Sequence, residues 1–129
     1  MTEQEFSIRV TELVKQIVDA IADKEYAKLA SFAQIASSWV EPEQTQEEAF
    51  LALGEWLDEQ LAMWEEDEER EFVVDHFSES CLGDIELEDN KSFVTYNPTN
   101  SGEELDLWFE IIFEIGNNDQ ISAIFNVNI

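Results

Sequence analysis

The segment Leu105-Asp106-Leu107-Trp108-Phe109-Glu110-Ile111-Ile112-Phe113-Glu114-Ile115-Gly116-Asn117-Asn118-Asp119-Gln120-Ile121-Ser122-Ala123-Ile124-Phe125-Asn126-Val127-Asn128-Ile129 reads as two long strands joined by a polar turn. Apolar residues recur at every second position. Leu107, Phe109, Ile111, Phe113 and Ile115 share one face, and Ile121, Ala123, Phe125, Val127 and Ile129 share the facing set. Asn117-Asn118-Asp119 supplies the turn chemistry. Matching the two apolar sets pairs Ile115 with Ile121, Phe113 with Ala123, Ile111 with Phe125 and Phe109 with Val127 across a loop of about three residues. A slip of one residue would instead turn Gln120, Ser122, Ile124, Asn126 and Asn128 inward, four of them polar, which the burial of one face forbids. The strands are expected over 105–115 and 120–129.

Upstream, the pattern offers shorter strands. Ile85 and Leu87 alternate with acids over 84–88, Asp89-Asn90-Lys91 turns, and 92–96 returns. Phe72–Phe77 is a further short apolar run, read as a strand over 72–77. Before these the period changes to that of helices. Phe6, Val10, Leu13, Ile17 and Ile21 form a stripe over 3–22. Tyr26, Leu29, Phe32 and Ala36 suggest a second helix over 25–36. Phe50, Leu53, Leu57, Leu61 and Trp64 define a third over 45–66, opened by the capping-box pair Thr45 and Glu48. Gly54 inside that helix signals close packing against a neighbour. Helices first and strands after imply an α+β fold. Three N-terminal helices should cover a C-terminal antiparallel meander sheet of about four to five strands, within a single domain over residues 1–129.

Charge is the other dominant feature. The chain holds 31 acids against six bases, a formal net charge of −25. Residues 1–40 are close to balance, with six acids and four bases, whereas residues 41–129 set 25 acids against only Arg70 and Lys91. Self-repulsion of this size opposes the compact state, so it points to solubility or to a strongly positive partner. It disfavours nucleic acid and anionic membranes as direct ligands. A hydrophobic content of 44% supplies a core that acidic disordered chains lack.

The single cysteine, Cys81, leaves no intramolecular disulfide and suggests a reducing, cytoplasmic setting. The acidic start Met1-Thr2-Glu3-Gln4-Glu5 is unlike a signal peptide. No run of about 18 apolar residues suggests a membrane span.

Catalytic signals are sparse, and no enzyme is expected. Asp75 and His76 are adjacent, so on a strand they face opposite ways and cannot line one site together. Cys81 has no neighbouring base to activate its thiol. Asp84–Asn90 is rich in oxygen ligands but lacks the spacing of a calcium loop, and one His with one Cys argues against zinc. No Gly-rich phosphate loop or Gly-x-Ser-x-Gly elbow occurs, so neither cofactor nor metal is expected.

The binding candidates are acidic. Glu55, Asp58, Glu59, Glu65, Glu66, Asp67, Glu68 and Glu69 would span about 21 Å of one helix. Asp106, Trp108, Glu110 and Glu114, on the other face of the long strand, form a second patch, in which Trp108 is an anchor if that face is open and a core residue if the helices pack on it.

The segment Ile17-Val18-Asp19-Ala20-Ile21-Ala22-Asp23-Lys24-Glu25-Tyr26-Ala27-Lys28-Leu29-Ala30-Ser31-Phe32 resembles the opening of NTF2-like domains, where one helix ends in a polar step and a second carries an aromatic and a leucine inward. That resemblance implies long curved strands after a third helix. In size, charge and architecture the chain also resembles small bacterial immunity proteins, which neutralise a toxin delivered by a rival cell. The resulting expectation is an acidic inhibitor that plugs the active cleft of a basic, nuclease-type toxin. The alternatives are a DNA mimic that blocks a DNA-binding protein, and an NTF2-like domain that binds or transforms a small ligand in a cavity.

Overall fold

The computed structural model describes Met1–Ile129 and has an α+β fold. Helix α1 (Glu3–Ala22) starts where the Thr2 hydroxyl accepts the Glu5 amide at 3.0 Å. It buries Phe6, Val10, Ile17 and Ile21 of the expected stripe, together with Val14, Val18 and Ala20, while Leu13 at the edge of the stripe is half-buried. Helix α2 (Gln46–Glu68) starts at Thr45, whose hydroxyl accepts the Glu48 amide at 3.1 Å. Its inward face carries Ala49, Phe50, Leu53, Gly54, Leu57 and Leu61.

The hairpin has the register expected from its alternation. β5 (Trp108–Ile115) and β6 (Ile121–Asn128) are antiparallel, with Ile115 opposite Ile121, Phe113 opposite Ala123, Ile111 opposite Phe125 and Phe109 opposite Val127. A three-residue 3-10 turn, Asn117–Asp119, joins them, with Asn118 in the left-handed region at φ 59°. β2 (Lys91–Tyr96) flanks β5 on its other side.

Several expected elements are corrected. The second helix is not an α-helix over 25–36. Tyr26–Ser31 forms a 3-10 segment, and the chain then enters a two-residue strand β1 (Gln34–Ile35), which pairs parallel to β6. The sheet is therefore mixed, in the order β1-β6-β5-β2, and not a purely antiparallel meander. Pairing with β6 holds Gln34 and Ile35 extended, so no helix can run on to residue 36.

The run 72–77 is not a strand. Three of its amides go to side chains: Phe72 donates to Glu65 Oε1 at 3.0 Å, Val73 to Asn100 Oδ1 at 3.1 Å and Phe77 to Asp19 Oδ1 at 2.9 Å; the Asp75 amide alone donates to a backbone carbonyl, that of Thr99 at 2.8 Å, and one such bond makes no ladder. Residues 84–88 form no strand: of them only Glu88 makes a bridge to β2, with Lys91, while just before them Leu82 bridges Tyr96 and the Gly83 amide donates to the Thr95 carbonyl at 2.8 Å. The long strand starts at Trp108, not at 105, because Glu103–Glu104 (β4) folds back on Thr99–Asn100 (β3) as a separate small hairpin.

Both α-helices pack on the face of the sheet that carries Phe109, Ile111, Phe113, Phe125, Val94 and Tyr96, all fully buried. Tyr96 stacks between Phe77 and Phe109, at ring distances of 5.6 and 6.2 Å. The opposite face of the sheet has no helix over it and presents Phe93, Trp108, Ile112 and Ile124 to solvent.

Candidate functional site

The acids proposed from sequence do not form one stripe. The structure divides them into three groups. Asp58 is engaged internally: its Oδ1 accepts the Tyr26 hydroxyl at 2.8 Å and lies 3.6 Å from Lys24 Nζ. Burial, and then that carboxylate, push the Tyr26 phenol well above the ordinary tyrosine range. Glu65 is a structural acceptor for the Phe72 amide. Glu69 closes α2 in the left-handed conformation, at φ 54°. Glu55, Glu59 and Glu66 are exposed along α2.

The second group gathers at the C-terminal end of α2. The turn at Glu69 sends the chain back so that Arg70 stands between its near neighbour Glu68 and the chain-distant Glu103. Its Nη2 donates to Glu68 Oε2 at 3.2 Å and to Glu103 Oε2 at 2.9 Å. Its guanidinium also lies 4.9 Å from the centre of the Phe72 ring, a cation–π contact. These bonds, to Glu103 first and Glu68 second, raise the Arg70 pKa further.

A groove of about 540 Å³ opens beside Arg70, lined by Asp67, Glu68, Glu103, Glu104 and Asp106, with Trp64, Phe72 and Leu105. Five carboxylates thus share one surface with a single cation. Asp67 and Glu68 also sit at the negative end of the α2 dipole, in a last turn without a basic residue, so the electrostatics there are unfavourable to the fold. No three His, Cys, Asp or Glu side chains converge in a manner that would hold a metal ion.

Trp108, Glu110 and Glu114 form the third group, on the uncovered sheet face. The Trp108 indole N–H donates to Glu110 Oε1 at 3.1 Å, which lays the ring along the strand. Glu114 lies opposite Lys91 on β2.

Asp75 and His76 point apart, each to its own partners. Asp75 Oδ2 accepts the Thr99 hydroxyl at 2.7 Å and the Gly102 amide at 2.9 Å, and its Oδ1 accepts the Ser101 amide at 3.0 Å. Partial desolvation pulls the Asp75 pKa upward. The bonds from Gly102, Thr99 and Ser101 outweigh it and hold the carboxyl below its usual range. His76 Nε2 meets Asp23 Oδ1 at 2.7 Å on the surface.

Sequence reasoning missed Arg70, Glu103 and Glu104 as parts of the acidic groove, and Phe93 as part of the open sheet face. The pair Glu103-Glu104 directly after Gly102 was the available signal. Its placement depends on the β3–β4 hairpin and on Arg70, and neither shows in local periodicity. Comparison with protein-family models, with curated proteins and with solved structures gave no match.

Proposed function

We propose that this protein is an acidic inhibitor that docks on a basic protein, in the manner of an immunity protein closing the nucleic-acid cleft of a nuclease-type toxin. The observation that supports the reading is the groove at the end of α2, where Asp67, Glu68, Glu103, Glu104 and Asp106 converge from separate parts of the chain around Arg70. The fold bears the repulsion of these groups at the unfavourable end of a helix. Such an arrangement makes sense if a cationic surface neutralises it. A nuclease cleft must be positive to hold phosphates, so a carboxylate-lined surface competes for the same cations. A net charge of −25 would also steer capture, towards about 10⁸–10⁹ M⁻¹s⁻¹ at low salt. Speed matters to an inhibitor that must reach the enzyme before its substrate does. The action would be cytoplasmic, where the half-buried Cys81 stays a free thiol. The NTF2-like ligand-binding alternative gains nothing from an inner sheet face filled by Phe109, Phe113, Phe125 and Tyr96.

The test is affinity capture from the native host with the wild-type chain and with a Glu103→Lys/Asp106→Lys variant, followed by assay of the captured protein on RNA and DNA. The expected result is a basic nuclease held by the wild type, inhibited by it, and lost from the variant as salt rises. Identical capture by both chains, or a captured protein whose nuclease activity the wild type leaves intact, overturns the reading.

A further inference from the structure

We infer that the uncovered face of the sheet is a protein-docking surface that takes a partner whose contact has an apolar centre with Lys or Arg around it. The register places Phe93 opposite Ile112 and Ile112 opposite Ile124, so three apolar side chains from three strands stand in one row. Their exposures are 57%, 38% and 41%, against 0% for Phe109, Ile111 and Phe113 on the helix-covered face. At a strand spacing of about 4.8 Å the row is about 10 Å long. Trp108, 38% exposed, lies on the same face and is directed along β5 by its bond to Glu110.

A shallow groove flanks each end of the row. One, of about 470 Å³, has Phe93 and Ile112 in its wall together with Glu86, Glu88 and Asp89. The other, of about 400 Å³, continues the apolar surface from Ile124 to Phe32. The surroundings of the row are acidic: Glu86, Glu88, Asp89, Glu110 and Glu114 are offset only by Lys91. An apolar centre with a charged rim is the anatomy of a protein interface.

Charge complementarity selects the occupant. A second copy would set the same acidic rim against itself, with −25 on each molecule. A basic partner would meet that rim with opposite charge while burying aliphatic or aromatic side chains on Phe93, Ile112 and Ile124. This inference rests on the proposed basic partner and names a second face that it meets beside the groove at the end of α2.

The probes are two capped peptides of equal charge, Lys-Lys-Leu-Phe-Leu-Lys-Lys and Lys-Lys-Ser-Ser-Ser-Lys-Lys, titrated at physiological salt into the isotopically labelled full chain. Three extended apolar residues span about 7 Å, which fits within the row of about 10 Å. The expected result is binding of the apolar peptide about tenfold tighter than the serine peptide. The shifted signals should be the amides of β2, β5 and β6 and the Trp108 indole N–H. The preference should vanish in a Phe93→Thr/Ile124→Thr variant, whose β-branched replacements suit a strand. It should survive Glu103→Gln/Asp106→Asn, which weakens both peptides alike. Equal affinity for the two peptides, or shifts confined to the groove beside Arg70, overturns this inference and leaves the electrostatic inhibitor standing. Failure of both peptides to bind overturns the two together. A concentration-dependent dimer in sedimentation that Phe93→Thr/Ile124→Thr abolishes also overturns it, because the occupant is then a second copy.

Discussion

The ring of Tyr26 fills the space that a side chain at Gly54 would need. A Cβ at Gly54 would stand 2.1 Å from Tyr26 Cδ2 and 2.3 Å from Cγ, atoms too near the backbone to swing aside. Glycine costs α2 about 1 kcal/mol of helix propensity, and close approach of the 3-10 segment is what it permits. Gly54→Ala is therefore expected to destabilise the chain by about 2 kcal/mol despite the gain in propensity. Tyr26→Phe, which removes only the bond to Asp58, should cost about 1 kcal/mol. Urea unfolding measures both, and a stabilised Gly54→Ala would refute the packing argument.

The carboxylate of Asp75 ties the extended 72–77 segment to the β3–β4 hairpin through Thr99, Ser101 and Gly102. Its folded pKa lies below the unfolded value of about 3.9. The stabilisation is complete above that unfolded value and is lost as pH falls through the lower folded one. Asp75→Ala should cost about 1–2 kcal/mol at neutral pH. The difference from wild type should shrink in strong acid. A pH-independent difference in unfolding free energy would contradict this role.

The hydroxyl of Ser92 is buried without a hydrogen-bond partner, on the inward face of β2 opposite Phe113. An unsatisfied buried polar atom costs about 1–3 kcal/mol, so Ser92→Ala should raise stability by about 1 kcal/mol. Thermal unfolding decides it. A loss of stability would mean that the hydroxyl has a partner in solution.

Repulsion at the end of α2 should respond to charge and to salt. Asp67→Asn is expected to stabilise the chain by about 0.5 kcal/mol at low ionic strength, because it removes an anion from the negative end of the helix dipole. The benefit should fade at high salt, where screening acts on the wild type too. A melting-temperature series in sodium chloride reads both effects. A wild-type melting temperature that does not rise with salt would show that these carboxylates do not repel.

Local pattern carried much of the architecture. The stripe of α1, the cap at Thr45 and the β5–β6 register were legible because burial of one face selects a period of about four residues in a helix and of two in a strand. The excess of acids was equally plain, and so was the tight approach at Gly54. The open face of Trp108 was not legible, since alternation says that a strand has two faces and not which of them the helices cover.

The remaining features came from contacts between distant residues. Residues 72–77 open as a short apolar run that reads as a strand, yet Glu65, Asn100 and Asp19 accept three of their amides and only Asp75 donates to a strand carbonyl, so a ladder never forms. The helix expected over 25–36 stops short because Gln34–Ile35 pairs with β6, and Tyr26–Ser31 is a 3-10 segment. Arg70 holds Glu103, 33 residues further along the chain, beside Glu68 and turns two acidic runs into one groove. Sequence alone determined where the chain alternates and how much charge it carries, because both are properties of neighbouring residues. Only the tertiary structure decided which acids are spent as internal acceptors and which are left facing solvent, because that depends on what the folded chain brings alongside them.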